Sequence, residues 1–271
     1  MMEIKQKKQK NQIQQRKQKM LILRWARVGV QMIFFVLYPA IFSQAFGAIK
    51  DIATSIGKGE AITWTMFTTK LMILIIVTAV AGRVFCGWAC SFGAIGDWMY
   101  QIGQVVQEKI KKKIPKLPDK IQVLMQKIKY VILLLVLMMC FIGRGDFVTK
   151  NSPWTVFSLI TSGGEISDYK VGIILMIIIL IGMVVKERFF CQFLCPFGAV
   201  FSLIPHLPFI KLKRRSETCI PNCTLCKRNC PVNMKLQEDE FREGECIVCG
   251  RCKYGCPKNN ISIIRKITSL E

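Results

Sequence analysis

Apolar residues along the chain are gathered into four long runs that are separated by polar and basic segments. The first run, residues 28–49, contains no charged residue and has about the length that a helix needs to cross a hydrocarbon layer of ~30 Å. Three further runs lie around residues 66–85, 129–143 and 170–185, and basic side chains at their edges can reach the lipid headgroups. The pattern predicts four membrane-spanning helices.

Lysine and arginine are distributed unevenly among the segments between these runs. Residues 1–27 hold nine of them and a single acidic residue, so this segment cannot bury a core and is predicted to stay solvated. Residues 83–129 hold nine more, whereas residues 50–60 balance two basic side chains with two acidic ones. Because basic loops are retained in the cytoplasm, we expect a multi-pass protein of the cell membrane with both termini cytoplasmic.

The composition excludes several classes of cofactor and partner. A net charge of +22 with 52% hydrophobic residues fits a membrane protein with basic loops better than a soluble enzyme. The single histidine, His206, cannot supply two axial haem ligands, and no CxxCH segment is present for a c-type haem. We interpret His206 as an interfacial loop residue and the basic runs as topology signals attracted to anionic lipid. Membrane lipid is therefore a predicted partner and nucleic acid is not.

One segment occurs twice, as RVFCGWACSFGAI at residues 83–95 and as RFFCQFLCPFGAV at residues 188–200. A shorter match, WTMF at 64–67 and WTVF at 154–157, precedes the two copies at different distances. The repeat predicts two duplicated two-helix halves, with each pair of cysteines one turn apart on a single helical face. Four converging thiolates could hold a [4Fe–4S] or [2Fe–2S] cluster, a zinc ion or Cu(I). The four predicted metal ligands are Cys86, Cys90, Cys191 and Cys195.

Eight of the thirteen cysteines lie in the last fifty-three residues, in two dense runs that each end in Cys-Pro. CIVCGRCKYGCP at residues 246–257 has the spacing of a bacterial two-cluster ferredoxin, in which the fourth cysteine of each run ligates the other cluster. The upstream run, CIPNCTLCKRNCP at residues 219–231, has one extra residue between its first two cysteines. A structural zinc module fits these dense runs less well. The predicted ligand sets are Cys219, Cys223, Cys226 and Cys256 for cluster I, and Cys246, Cys249, Cys252 and Cys230 for cluster II.

These patterns together predict an all-α transmembrane bundle followed by a small α+β domain of the two-cluster bacterial ferredoxin type. The predicted boundaries are a basic cytoplasmic tail at 1–27, a four-helix membrane domain at 28–205 and a cytoplasmic ferredoxin domain at 206–271. The remaining cysteine, Cys140, lies within an apolar run and is interpreted as a packing residue. No general base accompanies the cysteines, so no catalytic residue is predicted.

The four apolar runs, the duplicated CxxxC motif and the ferredoxin-like tail resemble the NapH-type membrane polyferredoxins over roughly residues 28–258. This 4Fe–4S family includes quinol-oxidising partners of periplasmic nitrate reduction and relatives in nitrous-oxide reduction and cytochrome oxidase assembly. Ser91 departs from the proline that the family often has after the second cysteine. The resemblance implies an electron-transfer subunit of an oxidoreductase, with electrons passing between a cytoplasmic donor or the quinone pool and a partner enzyme. A quinone is thus a further implied cofactor.

Two other functions remain open from the residues alone. In the first, a cupric reductase, the CxxxC thiolates bind copper and the tail clusters reduce it. In the second, the same cysteines cycle between thiols and disulfides as a relay across the membrane.

Overall fold

The computed structural model describes residues 2–39, 41–61, 64–111, 118–205, 211–214, 219–220, 222–234 and 243–264. The prediction for His206 lies outside these ranges. The membrane part contains α1 (Met2–Leu37), α2 (Ile41–Lys58), α3 (Met66–Ala81), α4 (Val84–Trp88), α5 (Ser91–Ile110), α6 (Asp119–Phe141), α7 (Gly145–Lys150), α8 (Pro153–Ser162), α9 (Lys170–Val185), α10 (Phe189–Phe193) and α11 (Pro196–Leu203). The tail contains β1 (Lys211–Arg214), α12 (Leu225–Arg228), a 3₁₀ turn (Glu243–Glu245), α13 (Arg251–Gly255) and β2 (Ile261–Ile264).

Two of the described helical segments, Ile13–Leu37 and Lys120–Phe141, are long and apolar enough to cross a membrane. The shorter helices α3 and α9 have 16 residues each and are apolar on their outward as well as their inward sides. Outward residues such as Ile76 and Ile177 are more than half exposed in the protein alone. Because a helix that is apolar all round needs an apolar environment on every side, these surfaces are suited to lipid. The protein is located in a membrane.

The predicted first span at residues 28–49 is not one helix. Helix α1 ends at Leu37 and α2 begins at Ile41, with Pro39 between them. Proline lacks a backbone donor and restricts the residue before it, so the helix breaks there although no charge interrupts the apolar run. Helix α1 also continues without a break across the predicted boundary at residue 27, and Arg27 is buried rather than solvated.

The duplicated segments have the same local structure. A 16-residue apolar helix leads into a five-residue helix and then into a third helix, as α3–α4–α5 in the first copy and as α9–α10–α11 in the second. The shorter match is not equivalent, because Trp64 is exposed ahead of α3 whereas Trp154 is buried at the start of α8. The repeat therefore covers the cysteine-bearing turns and the helices on either side of them.

The tail packs directly on the end of the bundle that carries the four CxxxC cysteines, which we call the motif end. Trp88 Nε1 donates to the Val248 carbonyl over 3.1 Å, and Gln192 Nε2 donates to the Pro231 carbonyl over 2.7 Å. At the opposite end Gly57 lies against the backbone of Phe141. The length of the bundle is thus spanned in two pieces. The first is the second half of α1, which starts at Arg27 at the motif end, and the second is α2.

The tail is closed by a two-stranded antiparallel sheet. Lys211 pairs with Ile264 and Arg214 pairs with Ile261, which brings the beginning and the end of the described tail together. Helices α12 and α13 each follow a cysteine-rich turn and pack against each other. This arrangement places the two cysteine runs side by side.

Candidate metal centres

The four cysteines predicted to hold cluster I line one small cavity in the tail. Its wall is formed by Cys219, Cys223, Cys226 and Cys256, together with Arg214, Leu225, Pro257, Asn260 and Ile261. The extra residue in the first run is taken up by a tight turn, in which Asn222 has a φ of 57° and the Cys223 N–H donates to the Ile220 carbonyl. The departure from the usual spacing therefore leaves Cys219 on the cavity wall.

Arg214 is the charged neighbour of this cavity. Its guanidinium donates to Cys219 Sγ over 3.1 Å, and this hydrogen bond lowers the pKa of the Cys219 thiol. A depressed pKa favours the thiolate, which is the form that ligates metal.

The other four tail cysteines form a second group. Cys252 interacts electrostatically with Cys249, Cys246 and Cys230, which are the other three predicted ligands of cluster II. Burial raises the pKa of Cys230 to about 11 and that of Cys246 to about 12. Such thiols are protonated at neutral pH, and binding a cationic metal centre would release their protons. Cys252 thus lies near the other three predicted ligands of cluster II, and it also packs with Cys226 and Cys256 in a small buried cluster.

The four CxxxC cysteines meet at the motif end, but not on continuous helical faces as predicted. Cys86 and Cys191 lie inside the short helices α4 and α10, whereas Cys90 and Cys195 are the extended N-cap residues of α5 and α11. The break occurs with Ser91 in one copy and Pro196 in the other, so proline alone does not cause it.

All four thiols are buried in one cluster and interact electrostatically with one another. The Gly198 N–H donates to Cys195 Sγ over 3.1 Å. A helix N-terminus favours a thiolate through its free N–H groups and its dipole. The N–H groups at these two helix starts can donate to metal-bound thiolates.

Two buried ion-pair networks flank these thiols, and both were missed in the sequence. Asp97 accepts from Arg27 and Arg188, with closest N–O distances of 2.6 Å. Glu245 accepts from Lys129 over 2.5 Å and from Arg83 over 3.1 Å. Arg83 and Arg188 occupy the same position in the two copies, three residues before the first cysteine, so the repeat itself held the signal.

Among the residues that the structure describes, no three His, Cys, Asp or Glu side chains are close enough to surround a single metal ion. Soft thiolates are ligands of iron–sulfur clusters, of zinc and of Cu(I).

A cavity of about 1030 Å³ lies between α1, α5 and α13. Its apolar wall includes Met20, Leu21, Val105 and Val106, and its polar wall includes Arg24, Arg27, Tyr100, Gln101 and Arg251. Arg251 directly precedes Cys252, so the polar wall borders the second tail quartet. Small-molecule sites in proteins typically combine an apolar wall with a few polar groups in this way.

Comparison with known proteins relates the two duplicated segments to a known family. The 4Fe-4S binding domain family matches residues 63–116 and 170–215, so each matched segment contains one CxxxC motif. No solved structure matches the chain.

Three relatives define the similarity further. The chain is 31% identical to the uncharacterized protein MJ0749 of Methanocaldococcus jannaschii, over 86% of this chain and 83% of that protein. It is 26% identical to the ferredoxin-type protein NapH of Haemophilus influenzae, over 68% of this chain and 63% of that one. It is also 26% identical to the protein NirI of Paracoccus denitrificans, over 70% of this chain and 28% of NirI. The chain belongs to the NapH-type family of membrane ferredoxin-like, 4Fe–4S binding proteins.

Proposed function

We propose that this protein is a multi-pass membrane electron-transfer subunit with two [4Fe–4S] clusters in its tail and a third thiolate-bound centre at the motif end. The supporting observation is that the four cysteines predicted for cluster I line one cavity of the tail, although the last of them comes from the second cysteine run. The proposed ligands are Cys219, Cys223, Cys226 and Cys256 for cluster I, Cys246, Cys249, Cys252 and Cys230 for cluster II, and Cys86, Cys90, Cys191 and Cys195 for the motif-end centre. Iron–sulfur clusters supply one-electron transfer without making or breaking substrate bonds.

The packing of the tail supports a continuous route between these ligand sets. Gly87 lies between Cys86 and Cys90, and its Cα lies so close to the Ile247 carbonyl that a side chain would collide with it. Cys249 belongs to the same buried cluster as the four CxxxC cysteines. The ligand-bearing loops of cluster II and of the motif-end centre are therefore in direct contact, and no mobile carrier is required between them.

The proposed topology has four crossings with both termini and the tail in the cytoplasm. The first crossing is made in two pieces by the second half of α1 and by α2, and the others are made by α3, α6 and α9. The contact of the tail with the motif end and the basic character of residues 83–129 support a cytoplasmic position for that end.

The first experiment is anaerobic purification of the full chain with analysis of iron, acid-labile sulfide, copper and zinc. We expect matching iron and sulfide, and we expect Cys256→Ser to lose about four iron atoms because one four-iron cluster loses a ligand. Cys140→Ser is the matched control, since Cys140 is buried but belongs to neither quartet of the tail nor to the motif end. Zinc without sulfide would contradict the proposal, and copper bound at the motif end would favour the cupric reductase.

The cavity between α1, α5 and α13 favours a quinone as the membrane-side redox partner. Its apolar wall suits an isoprenoid chain, and its arginine, tyrosine and glutamine side chains can donate to quinone oxygens. Because Arg27 and Arg251 interact electrostatically with Cys249, the polar wall is next to the cluster II ligands. A quinone bound there would exchange electrons with the tail, and a partner oxidoreductase would complete the path.

Filling this cavity is expected to slow the reaction with quinone. In Val105→Trp the larger side chain occupies the apolar wall, so oxidation of the dithionite-reduced protein by a short-chain quinone should slow about tenfold, which corresponds to ~1.4 kcal/mol. Val123→Trp on α6 is the control, since Val123 does not line the cavity. Equal stopped-flow rates in the two variants would place the quinone elsewhere.

A further inference from the structure

The two motif arginines are exchanged between the halves of the repeat. Arg188, from the second copy, lies against Gly93 of the first copy, and its Nη1 donates to the Cys86 carbonyl. Arg83, from the first copy, lies against Gly198 of the second copy, where an added Cβ would stand 2.9 Å from Nη2. Gly93 and Gly198 are equivalent positions in the two FGA segments. Each glycine thus leaves room for the guanidinium of the opposite half.

The two arginines differ in how their donors are used. Arg188 Nε donates to Asp97 Oδ1 over 2.7 Å, and Arg188 Nη2 donates to Asp97 Oδ2 over 2.6 Å. Arg83 Nη1 donates to Glu245 Oε2 over 3.1 Å, but Arg83 Nε is buried without an acceptor among the residues that the structure describes. A buried donor left unpaired is costly, so an acceptor is expected at this position.

The chemistry around Arg83 indicates what that acceptor is. The side chain is almost fully buried, at 1% exposed, and interacts electrostatically with Cys86, Cys195 and Cys191. These are three of the four proposed ligands of the motif-end centre, and they come from both halves. The acceptor available to Arg83 Nε in these surroundings is a sulfur atom of that centre, either a thiolate or an inorganic sulfide.

We infer that Arg83 is a positioning residue that donates a hydrogen bond from Nε to a sulfur of the motif-end centre and raises its reduction potential, while Glu245 opposes this effect. The inference rests on the proposed function, because it requires an iron–sulfur centre at the CxxxC cysteines. Reduction adds one electron to that centre. A nearby cation and an N–H donor stabilise the added negative charge, whereas a nearby carboxylate destabilises it.

Glu245 occupies the junction between two centres. It directly precedes Cys246, and its carboxylate also accepts from Lys129 and from the Tyr130 hydroxyl. The Arg83–Glu245 pair therefore joins the surroundings of the motif-end centre to the loop that holds cluster II. The two members of this pair are expected to shift the potential of the motif-end centre in opposite directions.

The test is an EPR-monitored redox titration of the anaerobically purified full chain in detergent, with iron content measured in parallel. The signal of the motif-end centre is identified as the one that Cys90→Ser removes. Arg83→Lys keeps a positive charge near Glu245 but has no Nε donor. It is expected to lower the ratio of reduced to oxidised centre about tenfold at a fixed potential, which for one electron is about 59 mV.

Glu245→Gln is expected to raise the same ratio, because it removes a negative charge. Arg144→Lys, at an exposed arginine outside the motif end, is the control and should leave the titration unchanged. If the substitutions merely loosened the tail, the reduction potential of the motif-end centre would shift in the same direction in Arg83→Lys and in Glu245→Gln. That result would overturn the inference. An unshifted potential in Arg83→Lys would overturn it as well.

The inference can be tested even if one of the variants does not fold. If Arg83→Lys does not accumulate, an unchanged or lower potential in Glu245→Gln overturns the inference, and a higher one supports it. If Cys90→Ser keeps all iron and every EPR signal of the wild type, the proposed function of the motif end has failed instead, and the inference about Arg83 fails with it.

Discussion

Replacing Cys90 by serine is expected to remove the motif-end centre while the two tail clusters stay in place. The four thiols form one buried group contributed by both halves of the repeat, so a single missing ligand opens the whole site. The variant that lacks all four cysteines should then resemble each single variant, because residues that act as one unit are not additive. Iron content and the EPR spectrum of the reduced protein measure this effect.

Cys140→Ser is the matched control for this comparison. Cys140 is also fully buried, but its neighbours are Lys50, Asp51 and Thr54, which belong to α2 rather than to the cysteine-bearing turns. It should keep its full iron content and change only stability, by roughly 1–2 kcal/mol. A Cys90→Ser protein with the iron content and spectrum of the wild type would show that the CxxxC cysteines are packing residues.

The grouping of the cysteines could be predicted because it depends on short spacings within the sequence. The turns that hold the tail cysteines depend on spacings of two or three residues, and the exchange of the fourth ligand follows from having two such runs. The same holds for the duplicated segment, whose two copies adopt the same helix, break and helix. The assignment of each thiol to a particular cluster stays a prediction until iron is counted in variants.

Errors arose where one pattern was extended across a break in the backbone. The lack of charge in the first apolar run predicts one helix, but Pro39 interrupts it. The i, i+4 spacing of Cys86 and Cys90 predicts one helical face, but Cys90 is an extended N-cap residue. Hydrophobic periodicity alone does not detect such breaks.

The repeat marks Arg83 and Arg188, but the acidic partners of the buried ion pairs could not be found from spacing. Arg27 and Asp97 are 70 residues apart, and Arg83 and Glu245 are 162 residues apart. Only the three-dimensional packing of α1, α5 and the tail brings these charges together. Once buried, they become essential to each other, because a charge without its partner is costly in a low-dielectric interior.

Asp97 provides the sharpest test of this dependence. Its carboxylate is 3% exposed and lies between the guanidinium groups of Arg27 and Arg188, with a further hydrogen bond from Gln31. Asp97→Asn leaves two buried cations without a counter-charge. We therefore expect a loss of about 3–5 kcal/mol in the free energy of unfolding, measured by thermal or denaturant unfolding in detergent.

A double variant separates lost charge compensation from lost packing. Arg27→Gln combined with Asp97→Asn removes one of the two uncompensated cations, so it should recover part of the stability that Asp97→Asn loses. Asp51→Asn, the same chemical change at an exposed aspartate of α2, should alter stability by less than about 0.5 kcal/mol. If the double variant is less stable than Asp97→Asn by the full cost of Arg27→Gln alone, the two residues do not compensate each other. The buried charged side chains would then stabilise the motif end through packing rather than through charge compensation.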